Sequence, residues 1–360
     1  MNMLRQLRTL ASKRDAYLYH GTIGLLRRKP KLAVKLARLY FFYAFSSCNK
    51  IRTLDIAITR KCPYNCPHCY PDDFYRETRT PLSVAEIVDT VRQGAEMGIV
   101  QFNFQGGEPT LELDRLESIV TQSDPWSAYI SLSSNGFRHK TGDLQRIYDM
   151  GVDKIALSLH SGIPEEHDAF VGSEGGYKRV MACYENARKV GLEVTLAVVV
   201  SHDNIYSDGV RQVIEMCIRN DIILDVNVAI PVGRWAGEVQ YVLHDEDFRH
   251  LDELNRKHPN IRRDLHPHLF RKGCPAAKEF LYMNVYGDVL TCPFLHLSVG
   301  NVRDSKLKDL HARALANRWF NHHHPRCLAC EDKEFFERYV SKTFQSDRTP
   351  LSWDEVFGDN

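Results

Sequence analysis

The chain has 360 residues, 43% of them hydrophobic, enough for about two domains with a large core. Its net charge of +1 excludes a global polycation built to hold a nucleic-acid backbone. No stretch reaches 18 apolar residues, and ten cysteines in a chain this long do not form the disulfide framework of a short secreted domain, so a cytoplasmic protein is expected.

The charge is unevenly placed. Residues 1–50 carry eleven Lys/Arg and one acid, Asp15, a net of +10, against −9 for the remainder. Within them, Lys31, Lys35 and Arg38 recur at helical spacing beside an apolar stripe of Leu32, Leu36, Leu39 and Tyr43. Residues 25–45 therefore read as a helix, either packed on the following domain or docked on a membrane surface or an acidic partner. The seven apolar residues Leu39–Phe45 are too few to span a bilayer.

From residue 51 the pattern alternates. Strand-like runs at 51–59, 99–104, 127–133, 152–159, 192–200 and 222–229 are separated by helix-like stretches at 83–97, 112–123, 140–150, 176–190 and 206–220. Ser83 and Glu86 form a capping box, and Gly98, Gly151 and Gly191 stand where helices end. Six strands alternating with helices predict a partial (β/α)6 TIM-type barrel over residues 51–235. Chemistry in such barrels sits at the C-terminal ends of the strands.

Three cysteines follow the first strand directly. Cys62, Cys66 and Cys69 have the spacing C-x3-C-x2-C. Three thiolates on one short loop suit a cubane cluster with one iron left open, whereas fully ligated clusters take four cysteines. A structural zinc site is the alternative, with His68 as fourth ligand. His68 suits that poorly, because it would have to point into the same site as both flanking cysteines. The second strand ends in Gly106-Gly107-Glu108, the third in Ser133-Ser134-Asn135-Gly136 and the fourth in Ser158-Leu159-His160. Paired glycines allow close backbone approach, and a neighbouring carboxylate can accept from an ammonium group.

After residue 250 the alternation stops. Cys274 precedes a hairpin signal at Gly287-Asp288, Cys292 follows it, and Cys327-Leu-Ala-Cys330 comes after a helix-like stretch ending near Phe320. Four cysteines so placed make a closed metal site, a zinc knuckle or an iron–sulfur cluster. Cys48, Cys183 and Cys217 have no ligand partner in sequence, and the last two read as core thiols. His322-His323-His324 reads as a solvated helix end.

Taken together, these motifs resemble the radical S-adenosylmethionine (SAM) superfamily, with a C-terminal α+β domain of the SPASM/twitch type. The resemblance implies a SAM-binding [4Fe–4S] cluster on Cys62, Cys66 and Cys69 and an auxiliary [4Fe–4S] cluster on Cys274, Cys292, Cys327 and Cys330. It places His68 beside the adenine, Glu108 with Gly106 and Gly107 at the methionine amino group, and Ser133, Ser134, Asn135 and Ser158 along the methionine and ribose. Many relatives have Asp where this chain has His160. No cysteine follows Cys330, which favours one auxiliary cluster over two. Ile230–Arg234 resembles the segment joining the barrel to that domain.

The domains expected are a basic helical segment (1–50), the barrel (51–235), a linker helix with the auxiliary domain (236–340) and a tail (341–360). The expected chemistry is reductive cleavage of SAM and hydrogen abstraction, with flavodoxin or ferredoxin as electron donor. Oxidation or epimerisation of a sugar or cyclitol is the first reading. A ribosomal-peptide maturase, a lipid-acting enzyme and a non-catalytic zinc protein are the alternatives.

Overall fold

A computed structural model describes residues 25, 28–45, 50–76, 79–263, 273–344 and 346–358. Cys48 and the segment 1–24 lie outside these. The described chain begins with α1 (Pro30–Phe45). The barrel follows as β1 (Thr53–Thr59), α2 (Val84–Glu96), β2 (Gln101–Gly106), α3 (Leu113–Gln122), β3 (Tyr129–Ser134), α4 (Thr141–Asp149) and β4 (Lys154–Ser158). It continues through α5 (Pro164–Val171), α6 (Gly176–Val190), β5 (Glu193–Val200), α7 (Asp208–Arg219) and β6 (Leu224–Val228). All six strands expected from the sequence are present, and consecutive ones pair in parallel.

The barrel does not close. Beyond β6 come α8 (Asp245–Lys257) and an edge strand β7 (Ile261–Arg263), parallel to β6. On the other side β1 pairs in parallel with β8 (Phe280–Met283), the first strand of the C-terminal unit. Then β9 (Asp288–Leu290) and β10 (Leu297–Asn301) extend the sheet antiparallel, with α9 (Leu307–Ala316) packed beside them. The β8–β9 hairpin turns at Gly287 (φ +93°), as the sequence predicts. The expected free tail is corrected. Leu351–Ser352 forms β11 on the edge of β10, and a short helix α10 (Trp353–Phe357) buries Trp353, Val356 and Phe357 in the core. These three large apolar side chains close one end of the C-terminal unit, which is why the segment folds.

The barrel strands alternate with period two. Phe102 and Phe104, Ile130 and Leu132, and Ile155 and Leu157 are buried in the hydrophobic core. Their neighbours Asn103 and Gln105, Ser131 and Ser133, Lys154 and Ser158 face the lumen instead. A closed barrel would be filled by layers of branched apolar side chains. Here the lumen is open, with these polar side chains set among apolar ones such as Ala156, Ala197 and Val199.

Helix α1 settles one alternative. Leu32 and Leu39 are buried with Val100, and Leu36 and Tyr129 pack against them, so this apolar stripe covers the N-terminal end of the barrel. Arg28 and Lys29 are structural too. The Lys29 ammonium is fully buried, 2.5 Å from Asp153 and within 3.0 Å of the carbonyls of Ala128 and Gly151. Arg28 donates to the carbonyls of Val152 and Tyr148. Burial works against both charges, holding Lys29 below and Asp153 above its ordinary pKa, while the ion pair opposes each shift. Removing one partner of a buried pair leaves an uncompensated charge. Asp153→Asn is expected to destabilise the protein by about 3 kcal/mol in denaturant unfolding, with loss of α1 protection in hydrogen exchange.

Candidate functional site

The chain leaves β1 at Thr59 and enters the cysteine loop. Two backbone bonds fix the root of this loop to the tip of β2: Gly107 N–H donates to Thr59 at 2.8 Å, and Glu108 N–H donates to Lys61 at 2.7 Å. A side chain on Gly106 (φ +144°) would overlap the Thr59 carbonyl oxygen, and one on Gly107 would overlap that of Lys61. The glycines are thus required by the cysteine loop itself, before any ligand is considered.

The structure places Glu108 differently from expectation. Its carboxylate is fully buried and is outside the cavity lining. It accepts from Thr110 N–H at 3.0 Å, from the Ser134 hydroxyl at 3.0 Å and from Asn135 N–H at 2.7 Å, with the Thr110 hydroxyl as a further donor. Desolvation raises its pKa and these donors oppose the rise. Glu108 therefore joins the tips of β2 and β3 instead of presenting a free carboxylate.

A cavity of about 690 Å³ runs from these tips down the lumen. Cys62, Cys66, Cys69, His68, Gly106 and Gly107 line its mouth, with Ser133, Ser134, Asn135, Ser158 and His160 on the neighbouring strand ends. The Asn135 carboxamide lies 3.6 Å from Cys62 Sγ. His68 stacks on Phe170 with ring centroids 4.7 Å apart, and His160 meets it edge-on at 4.7 Å. Burial, with the Arg234 charge adding to it, holds the His68 pKa down to about 3, so the ring is neutral near pH 7. His160 Nδ1 accepts from Val199 N–H at 3.2 Å, which brackets the ends of β4 and β5.

Sequence reading gave Arg234 no role of its own. It stands in the segment after β6, in a turn where Gly233 (φ +64°) must approach Cys69 and Tyr70 too closely for any side chain. Arg234 N–H donates to the Cys69 carbonyl at 3.2 Å. Its guanidinium donates to the Cys66 carbonyl at 3.1 Å and to the Asn65 side chain, and pairs with Asp72 at 3.0 Å. The available signal was a lone Gly-Arg at the exit from the last barrel strand.

The second cysteine set borders the same cavity. Cys274 N–H donates to His324 at 2.6 Å, and that bridge brings Cys274 to the Cys327–Cys330 turn. Cys274, Cys292 and Cys327 line the cavity wall opposite the barrel tips. The histidine triplet is corrected at two of its members. His323 bonds Glu279 at 2.9 Å, Glu279 pairs with Arg52 just before β1, and the His324 carbonyl holds Cys274, so these two brace the two units, while His322 is exposed as expected. Cys183 and Cys217 are buried in α6 and α7, as expected.

Both sets fit iron–sulfur clusters better than single ions. Three thiolates on one tetrahedral zinc, with Zn–S near 2.3 Å, have sulfurs about 3.8 Å apart. Among the described residues, the group whose ligand atoms lie mutually within 4.8 Å is His202, His244 and Asp247, at the cap of α8 and outside the cavity lining. Neither cysteine set converges so tightly. Burial pushes the Cys66 and Cys69 thiols up to about 12 and Cys274 up to about 11, with neighbouring cysteines, and Asp72 at Cys69, adding to the rise. Thiolates there need positive charge beside them, which ligated iron supplies and Arg234 supplements.

Arg234→Gln is expected to leave the fold intact and to lower iron loading of the Cys62–Cys69 loop severalfold after anaerobic reconstitution, with Arg234→Lys intermediate because it keeps charge but loses the fork. Iron per chain, measured in a background lacking Cys327 and Cys330, reads this directly.

Profiles of known families match two regions, the radical SAM superfamily over residues 56–217 and the SPASM iron–sulfur cluster-binding domain over residues 274–332. The AdoMet-dependent heme synthase of Nitratidesulfovibrio vulgaris is 22% identical over 307 residues, 76% of this chain and 83% of that protein. The PqqA peptide cyclase of Rhizobium meliloti is 28% identical over 162 residues, 45% of this chain and 42% of that protein. Among solved structures, Streptococcus suis SuiB bound to the precursor peptide SuiA superposes with a TM-score of 0.59 at 17% identity, covering 77% of this chain and 68% of that one. The structure of anSMEcpe with bound AdoMet and a peptide superposes with a TM-score of 0.57 at 20% identity, covering 80% and 96%. The two profile matches, which together span more than half of the chain, agree with the fold, and the chain belongs to the radical SAM superfamily, with a C-terminal SPASM domain and with [4Fe–4S] clusters and S-adenosylmethionine as its cofactors.

Proposed function

We propose that this enzyme modifies a peptide, whose reacting residue enters the cavity between the two cysteine sets. The observation that carries the reading is that one cavity is bordered by both sets, by Cys62, Cys66 and Cys69 and by Cys274, Cys292 and Cys327. A substrate held there would lie within reach both of the residues that would hold SAM and of those that would hold an auxiliary cluster. The named relatives support the peptide: a peptide cyclase, a protein bound to its precursor peptide and a protein with bound AdoMet and peptide. This reverses the order reached from sequence alone, which put a sugar or cyclitol first. The heme synthase aligns over a longer stretch than the cyclase, so a tetrapyrrole substrate is the second reading.

When bound, SAM and the first cluster supply a reductively generated 5′-deoxyadenosyl radical that abstracts hydrogen from substrate. In this reading Cys62, Cys66 and Cys69 hold three irons. The glycine backbone of residues 106–107, Ser133, Ser134, Asn135 and Ser158 orient SAM, and neutral His68 offers an apolar ring face to the adenine. Glu108 keeps the strand tips in register. Cys274, Cys292, Cys327 and Cys330 hold the auxiliary cluster. Asn103, Ser131 and Lys154 give the lumen polar walls for a polar substrate side chain.

Anaerobic protein with SAM and dithionite is expected to release more 5′-deoxyadenosine when a peptide encoded beside its gene is added, and that peptide should change mass. Stimulation by a tetrapyrrole and by no such peptide would transfer the proposal to the second reading.

Cys62→Ala/Cys66→Ala/Cys69→Ala should lose about half of some eight irons per chain and all SAM cleavage. Cys327→Ala/Cys330→Ala should keep reductant-driven deoxyadenosine release and lose product. Full turnover by a well-folded Cys327/Cys330 variant would reduce that domain to scaffolding.

A further inference from the structure

Helix α1 has a second face. Lys31, Val34, Arg38 and Phe41 follow one another at helical spacing of three and four, and all four are exposed. They lie on the side of the helix away from Leu32, Leu36 and Leu39, which are spent on the barrel. Val34 is 54% and Phe41 is 69% exposed, and Trp126, in the turn that packs beside α1, is 46% exposed. These are three of the five large apolar side chains exposed to this degree among the described residues. Scattered exposed apolar residues need no explanation, but a cluster interleaved with cations on one helix does.

The charge of this face is not cancelled. Arg28 and Lys29 are committed to Asp153, and Lys35 donates to the Ser127 hydroxyl at 3.1 Å. Lys31 and Arg38 have no ion pair among the described residues. No acid occurs between Asp15 and Asp55, while Arg5, Arg8, Lys13 and Arg14 precede Asp15, so the sequence around the helix has the same sign. No described helix, α1 included, is long and apolar enough to cross a bilayer.

We propose that the outward face of α1, with Trp126 at its edge, docks this enzyme on an anionic lipid surface. A lipid surface fits because it takes cations and apolar side chains from one helix face at once: headgroup phosphates pair with Lys31 and Arg38, while Phe41, Val34 and the Trp126 ring enter the interface. The docked end is the N-terminal end of the barrel. The cysteine loop and strand tips then face away from the lipid, open to a peptide and an electron donor.

The test uses full-length, reconstituted protein in co-sedimentation with vesicles of phosphatidylcholine alone or phosphatidylcholine with phosphatidylserine. Binding is expected to the anionic vesicles and to weaken as salt is raised. Lys31→Glu/Arg38→Glu should weaken it by about tenfold or more. Val34→Ser/Phe41→Ser should weaken it at low salt while leaving the basic residues in place. All four positions are exposed, so unchanged iron content and SAM cleavage verify that each variant is folded. Absence of binding to anionic vesicles at low salt would overturn the proposal. So would unchanged binding by both double variants, which would assign lipid contact to residues 1–24.

Discussion

The site depends on a seam of backbone hydrogen bonds between the root of the cysteine loop and the tip of β2. Gly107 and Glu108 donate across it to Thr59 and Lys61, and only glycine fits at positions 106 and 107. The buried Glu108 carboxylate then ties the same tip to Ser134 and Asn135 on β3. A carboxylate without water must be satisfied locally, and its donors come from two strands, so the strand ends are set relative to each other. Arg234 closes the loop from the other side. The cysteines therefore hang from three separate elements instead of one flexible loop, the preorganisation a cluster site needs.

The open barrel has a complementary cause. Its strands present Asn103, Gln105, Ser131 and Lys154 inward, unlike the branched apolar layers that dominate a closed barrel. The sheet instead stays open between β7 and the C-terminal strands, and β8 extends it from β1. This continuity places Cys274, Cys292 and Cys327 along the same cavity. The Arg52–Glu279–His323 chain and the Cys274–His324 bridge hold that placement. At the opposite end α1 covers the lumen, with Lys29 buried on Asp153.

Much of this was legible in the sequence, because it rests on local signals. Cysteine spacing, Gly-Gly-Glu after a strand, capping residues and period-two runs all act over a few positions. The six parallel strands and the hairpin at Gly287 follow from them. What was not legible depends on distant partners. Glu108 was read as facing a ligand because nothing local shows that Ser134 and Asn135 would claim it. The histidine triplet looked solvated because Cys274 lies fifty positions earlier. Residues 351–357 looked like a tail because the edge strand they pair with is remote in sequence. The pairing of Arg28 and Lys29 with Asp153 was not legible either, because more than a hundred residues separate them.

The proposed chemistry requires that two iron–sulfur clusters border one cavity. Anomalous diffraction from anaerobic crystals, recorded at the iron and zinc edges, tests it most directly. Two iron sites are expected, one on Cys62, Cys66 and Cys69 and the other on Cys274, Cys292, Cys327 and Cys330, with the cavity between them. A zinc signal at either set, or an iron site remote from the cavity, would contradict the account.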